Sequence, residues 1–92
     1  MNELLWTRRS LQDLEKIYSF IARDKIEAAR KTILSIKKAV EQLTYHPFIG
    51  KAGRKEGTRE LVVARTSFIV IYWVKEEAIE ILRILHGAQK YS

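Results

Sequence analysis

Ninety-two residues suffice for one hydrophobic core and not for two, because halving the chain would leave each part too little interior; residues 1–92 therefore read as one domain. A composition of 47% hydrophobic and 30% charged residues excludes a disordered chain, and the absence of cysteine excludes disulfides, thiolate metal sites and cysteine nucleophiles. Seventeen Lys and Arg against eleven Asp and Glu give a net charge of +6, which attracts polyanions or an acidic protein partner.

The first residues, MNELLWTRR, hold an apolar run too short for the core of a signal peptide. No later run approaches the roughly 20 apolar residues of a membrane span. The expected location is the cytoplasm, with no membrane partner. Leu4, Leu5 and Trp6 read as a short strand, and Thr7 is placed to cap the helix that follows. In that helix Leu11, Leu14, Ile17, Tyr18 and Ile21 recur every three or four residues and line one face, with Arg9, Asp13, Lys16 and Arg23 largely elsewhere.

Asp24 and Glu27 have the spacing of a capping box opening a second helix. Along it Ala29, Ile33, Ile36, Val40 and Leu43 form the apolar stripe, while Lys31, Lys37, Lys38, Glu41 and Gln42 occupy other faces. So short a link folds the two helices into an antiparallel hairpin, and Pro47 ends the second one. The segment FIGKAGRKEGTRE, with three of the four glycines, reads as an exposed loop.

Glu60 to Val74, ELVVARTSFIVIYWV, is too long for one ordinary strand. It divides into Leu61 to Ala64 and Phe68 to Val74, antiparallel, with Arg65 at or near the turn. After a tight KEEA turn, Ile79 to His86 makes a last strand. Ile79, Ile81, Arg83 and Leu85 are expected on one side of it, and Glu80, Leu82, Ile84 and His86 on the other. The fold class is α+β, in the order β-α-α-β-β-β: a small, mostly antiparallel sheet with the helical hairpin packed on one face and the other face partly open.

Chemistry-bearing motifs are few. No phosphate-binding loop, zinc spacing, paired-carboxylate signature or serine elbow occurs, so neither metal nor cofactor is expected. His46 beside Pro47 reads as structural, near the negative end of a helix dipole. His86 heads the polar stretch HGAQKY. Lys51, Arg54, Lys55, Arg59 and Arg65 crowd one segment against Glu56 and Glu60, either as an electropositive patch or as plain solubilising charge. The aromatics Trp6, Phe68, Tyr72 and Trp73 lie inside apolar runs and read as core. Arg83 reads as a solvated charge that folding does not need.

Across nearly the whole chain, LLWTRRSLQDLEKIYSFIA, HPFIGKAGRKEGTRELVV, FIVIYWV and IEILRILHGAQKY resemble the RelE/ParE superfamily of type II toxin–antitoxin systems. That resemblance implies a bacterial or archaeal toxin held silent by a cognate antitoxin. RelE-like members cleave messenger RNA on the ribosome; ParE-like members impair DNA gyrase. The paired lysines of RelE have no counterpart in Leu61 to Ala64, and the position where nucleolytic relatives carry a phosphate-binding arginine is Ile69. The ParE-like reading is therefore favoured, with Arg54, Arg59, Arg65, Arg83, His86 and Lys90 as contact residues for partners and no catalytic set. The alternatives are a ribosome-dependent endoribonuclease using Arg65, His86 and Tyr91, or a non-toxic member that only binds antitoxin.

Overall fold

The computed structural model describes residues 2–87. Seven elements follow one another: β1 (Glu3–Trp6), α1 (Arg8–Ala22), α2 (Ile26–Gln42), β2 (Lys51–Ala52), β3 (Arg59–Val62), β4 (Phe68–Lys75) and β5 (Ala78–His86). The sheet order is β1-β5-β4-β3-β2, with β1 parallel to β5 and every other pair antiparallel. No helix among the described residues is long and apolar enough to cross a membrane.

Thr7 starts α1 as its sequence position predicts. Its hydroxyl accepts the Ser10 N–H at 3.1 Å, satisfying one of the free first-turn donors. The same hydroxyl donates to the Ile81 carbonyl at 2.8 Å, so one side chain caps the helix and pins it to β5. The expected capping box of α2 does not form. Asp24 still belongs to the end of α1, its N–H bonded to the Ile21 carbonyl, and the cap position falls to Lys25, which makes no side-chain cap bond. Glu27 pairs instead with Arg30, one turn on, at 3.4 Å.

The two helices lay their stripes on one face of the sheet. Ile36, Val40 and Leu43 are fully buried there with Val70, Tyr72, Ile79 and Ile81, joined by Leu14, Val63 and Ile84. On the far face Ile69, Ile71 and Leu85 form a smaller cluster, against which Leu82 packs. β4 is therefore buried on both faces from Ile69 to Tyr72, which is why its sequence shows no polar alternation.

Three features of the strands also depart from the sequence reading. First, Lys51–Ala52 is a fifth strand inside the expected loop, with Lys51 opposite Glu60 and Ala52 opposite Arg59; two residues carry no periodicity to detect. Second, β3 begins at Arg59 and ends at Val62, two residues ahead of the expected span, because Val63 and Phe68 close the hairpin backbone. Arg65 does lie in that turn, at φ +64°. Third, β5 carries a bulge: Ile71 faces Arg83 while Tyr72 faces Ile81, leaving Leu82 as the extra residue. Parity then flips, so Ile84 joins Ile79 and Ile81 in the main core and Leu85 joins Leu82 on the far face. The strict alternation expected for Ile79 to His86 holds as far as Leu82 and fails from Arg83 on.

The chain leaving α2 is anchored by Tyr72. Its hydroxyl donates to the Pro47 carbonyl and accepts the Gly50 N–H, both at 2.9 Å. Gly50 must be glycine, since a Cβ there would stand 2.6 Å from the Tyr72 oxygen and 2.9 Å from the Glu60 carbonyl. Burial pushes the Tyr72 phenol above the ordinary tyrosine value of 10.0, despite the opposing Gly50 bond. The folded state thus holds this proton more tightly than the unfolded chain does. Its stabilising effect is complete below pH 10.0 and is lost as pH rises through the higher folded value.

Tyr72→Phe is expected to cost about 1–3 kcal/mol in denaturant melts by orphaning a buried donor and acceptor. The variant should also lack the extra decline in stability expected of the parent above pH 10.0. Ile36→Ala, which empties a fully buried position, should cost about 2–5 kcal/mol by the same measurement.

Candidate functional site

The far face near the β3–β4 turn holds a cleft between β2, β3 and the end of β5, lined among others by Lys51, Arg54, Glu60, Ile69 and Gly87. β3 and β4 place Glu60 and Ile69 there, because residues of one parity share a face and the register sets Glu60 opposite Ile71 and Val62 opposite Ile69. Glu60 is only 6% exposed. Its carboxylate accepts the Arg54 backbone N–H at 3.1 Å and forms an ion pair with the Arg54 Nε at 3.3 Å, which folds the 53–58 loop back toward the sheet. Ile69 is buried between Val62 and Leu85 in the register.

His86, at the end of β5, meets the Phe68 ring edge-on at 5.7 Å between centroids, and the Gly87 N–H donates to the Ser67 carbonyl at 2.6 Å. Arg65 does not join them. It lines a notch on the other side of the hairpin, against Lys38 and Gln42 of α2. Arg59 points the opposite way from Glu60: its guanidinium donates to the Gly50 carbonyl at 2.8 Å and lies 4.9 Å above the Phe48 ring. Lys90 and Tyr91 lie outside the described residues.

Arg83 is not the solvated charge that its place in the sequence suggests. The bulge at Leu82 puts it on the far face beside Ile71 and Leu82, and from there its Nε and Nη2 donate to the two oxygens of Asp13 on α1 at 2.8 and 3.1 Å. Asp13 also accepts the Ile84 N–H at 2.9 Å. That backbone donor lies beyond Ile81, the last residue of β5 that β1 reaches, so the carboxylate stands in for a missing strand. The Asp13 hydrogen bond raises the Arg83 guanidinium above its ordinary value, outweighing desolvation.

The outer side of the helical hairpin carries a shallow apolar groove between α1 and α2. Leu11, Leu14, Tyr18 and Ile33 line it, with Glu15 and Lys37 among its polar members. Leu11 and Leu34 remain 47% and 66% exposed, so the hairpin presents apolar surface outward as well as inward.

The sequence alone placed Asp13 away from the apolar stripe and missed its role. The available signal was an arginine set in the apolar run EILRIL, which requires a carboxylate somewhere to meet it. Asp13→Ala should cost about 3–5 kcal/mol, since it strands a partly buried guanidinium and the Ile84 N–H. Asp13→Asn, which keeps an acceptor, should cost less. Arg83→Ala should lower the melting temperature clearly, contrary to the expectation from sequence.

Comparison with known proteins bears on this arrangement. Residues 4–91 match the family model described as the ParE toxin of type II toxin-antitoxin system, parDE. Y4kP of Sinorhizobium fredii is 36% identical over 94% of this chain and 88% of its own length. Toxin RelE2 of Caulobacter vibrioides is 33% identical over 97% of this chain and 99% of its own. A solved structure of the chromosomal ParDE TA system from P. aeruginosa superposes with a TM-score of 0.83 at 31% identity, covering 94% of this chain and 96% of that one.

Proposed function

The chain belongs to the ParE toxin family of type II toxin–antitoxin systems, and from that premise we propose that it acts in the cytoplasm by binding DNA gyrase and arresting it, breaking no bond with its own side chains. The single observation that supports this reading is the buried Ile69 on the far face, flanked by Val62 and Leu85. Cleavage of a phosphodiester needs a cation against the developing charge and a group to take the 2′-hydroxyl proton. An aliphatic side chain at the centre of the cleft supplies neither. Arg54 is engaged by Glu60, and Arg65 lines the notch on the hairpin's other side.

A cognate antitoxin fits the same molecule through a different surface. An amphipathic helix of the antitoxin laid into the groove between α1 and α2 would bury Leu11, Tyr18 and Ile33, as helix-in-groove recognition does generally. The toxin's +6 charge favours an acidic partner.

Purified protein in several-fold excess should block gyrase supercoiling of relaxed plasmid or trap cleaved DNA. Normal supercoiling under those conditions would remove the proposal, and cuts in ribosome-bound message abolished by His86→Ala or Arg65→Ala would replace it with endoribonuclease action. Leu11→Arg should weaken antitoxin binding at least about tenfold in calorimetry, as truncating or charging an interface anchor does, with little change in melting temperature because Leu11 is 47% exposed.

A further inference from the structure

The basic residues of this chain differ in whether the fold has already used them. Arg83 is held by Asp13, Arg30 by Glu27, and Arg54 by Glu60, while Arg59 is spent on the Gly50 carbonyl and the Phe48 ring. Arg65 and Lys38 have no carboxylate partner among the described residues. They face each other across the notch between the C-terminal half of α2 and the β3–β4 turn, and no acidic residue lines that notch.

The notch is the end of a longer feature. Lys31, Ser35, Lys38 and Gln42 follow one another at steps of four, three and four residues along α2, so they form a single stripe. At 1.5 Å per residue the stripe runs roughly 16 Å. Lys31, Lys38, Gln42 and Arg65 are exposed. The acidic residue one turn before Lys31 on the same line, Glu27, is paired with Arg30.

The backbone marks Arg65 further. It sits at φ +64°, a left-handed conformation that glycine or asparagine adopts at far lower cost than arginine. A hairpin tip that only had to turn would carry one of those. Arginine here keeps a long cation aimed beside Lys38 at the expense of backbone strain.

We propose that the stripe of Lys31, Ser35, Lys38 and Gln42, completed by Arg65, binds the sugar–phosphate backbone of duplex DNA without regard to sequence. Lys, Arg, Ser and Gln are the side chains that contact phosphate oxygens, and here they alternate along a line with no carboxylate between them. An acidic peptide is the poorer occupant, because a segment that orders on binding needs apolar burial to offset its lost entropy. The surface offers little beyond Val62 and two alanines for this; the apolar groove lies elsewhere, between α1 and α2. A single strand is disfavoured by the lack of any aromatic stacking platform along the notch. The inference goes beyond gyrase arrest and does not depend on it.

The test is fluorescence anisotropy of a labelled duplex of random sequence titrated with the free toxin at several salt concentrations. Lys38→Glu, Arg65→Glu and Arg65→Gly are compared with Lys16→Glu, which makes on α1 the same charge reversal as the first two. Three cations on phosphate predict a slope of about −3 in log K against log salt. Each notch variant should weaken binding several-fold and flatten that slope by about one unit, while Lys16→Glu should leave most of the affinity. Arg65→Gly is the decisive variant, because it relieves the strained backbone and should melt no lower than the parent while still losing affinity. No duplex binding at low salt, equal loss from Lys16→Glu, or tighter binding of single-stranded DNA or duplex RNA would each overturn the proposal. So would notch variants that spare the duplex and weaken only antitoxin. Gyrase assays on the same variants read out separately, so either proposal can fail alone.

Discussion

The Asp13 carboxylate joins the two layers of this molecule. β1 pairs with β5 only as far as Ile81, and beyond that point the Ile84 N–H would face an empty edge. Asp13 accepts that donor and holds Arg83 in a two-point contact. One helical side chain thus satisfies a strand edge and neutralises a cation carried by the strand. Without it the polar groups at the α1–β5 seam would stand uncompensated, and a buried charge without a partner is among the costliest defects a small domain can carry. The Thr7 hydroxyl, bonded to the Ile81 carbonyl one step away, completes the seam.

That seam also explains the bulge. A regular β5 would send Arg83 and Leu85 to the same side as Ile79 and Ile81. Inserting Leu82 reverses the parity, so that Ile84 fills the core beneath the helices and Leu85 covers the far face. Both faces of β4 are thereby buried over its middle residues although the chain has helices on only one side. The small far-side cluster makes the cleft around Ile69 apolar at its floor and charged at its rim, where Lys51, Arg54 and Glu60 stand.

What the sequence made legible was the part governed by periodicity. The two helices, their apolar stripes, the Thr7 cap, the hairpin with Arg65 in its turn and the two-layer plan all follow from spacing, and the structure has each of them. What escaped was set by tertiary contacts that no local pattern records. A two-residue strand exists only because β3 lies beside it. Asp24 is a fine capping residue in isolation, yet its N–H remains in the last turn of α1, so Lys25 takes the cap position. At the site, position 69 was found through resemblance and not through physics. Asp13 and Arg83, separated by most of the chain, look like two ordinary surface charges until the fold brings them together.

The order of strands sets when the fold can close. β5 is made after every other element and yet lies inside the sheet, between β1 and β4. While a nascent chain is still emerging from the ribosome, β1 has no neighbour, α1 has no edge to close, and neither Asp13 nor Thr7 has its acceptor or donor in reach. Long-range closure of this kind is slow compared with local helix formation. The two layers can therefore close only after the last strand has been released, so the sheet's interior and the α1–β5 seam form together at the end of synthesis.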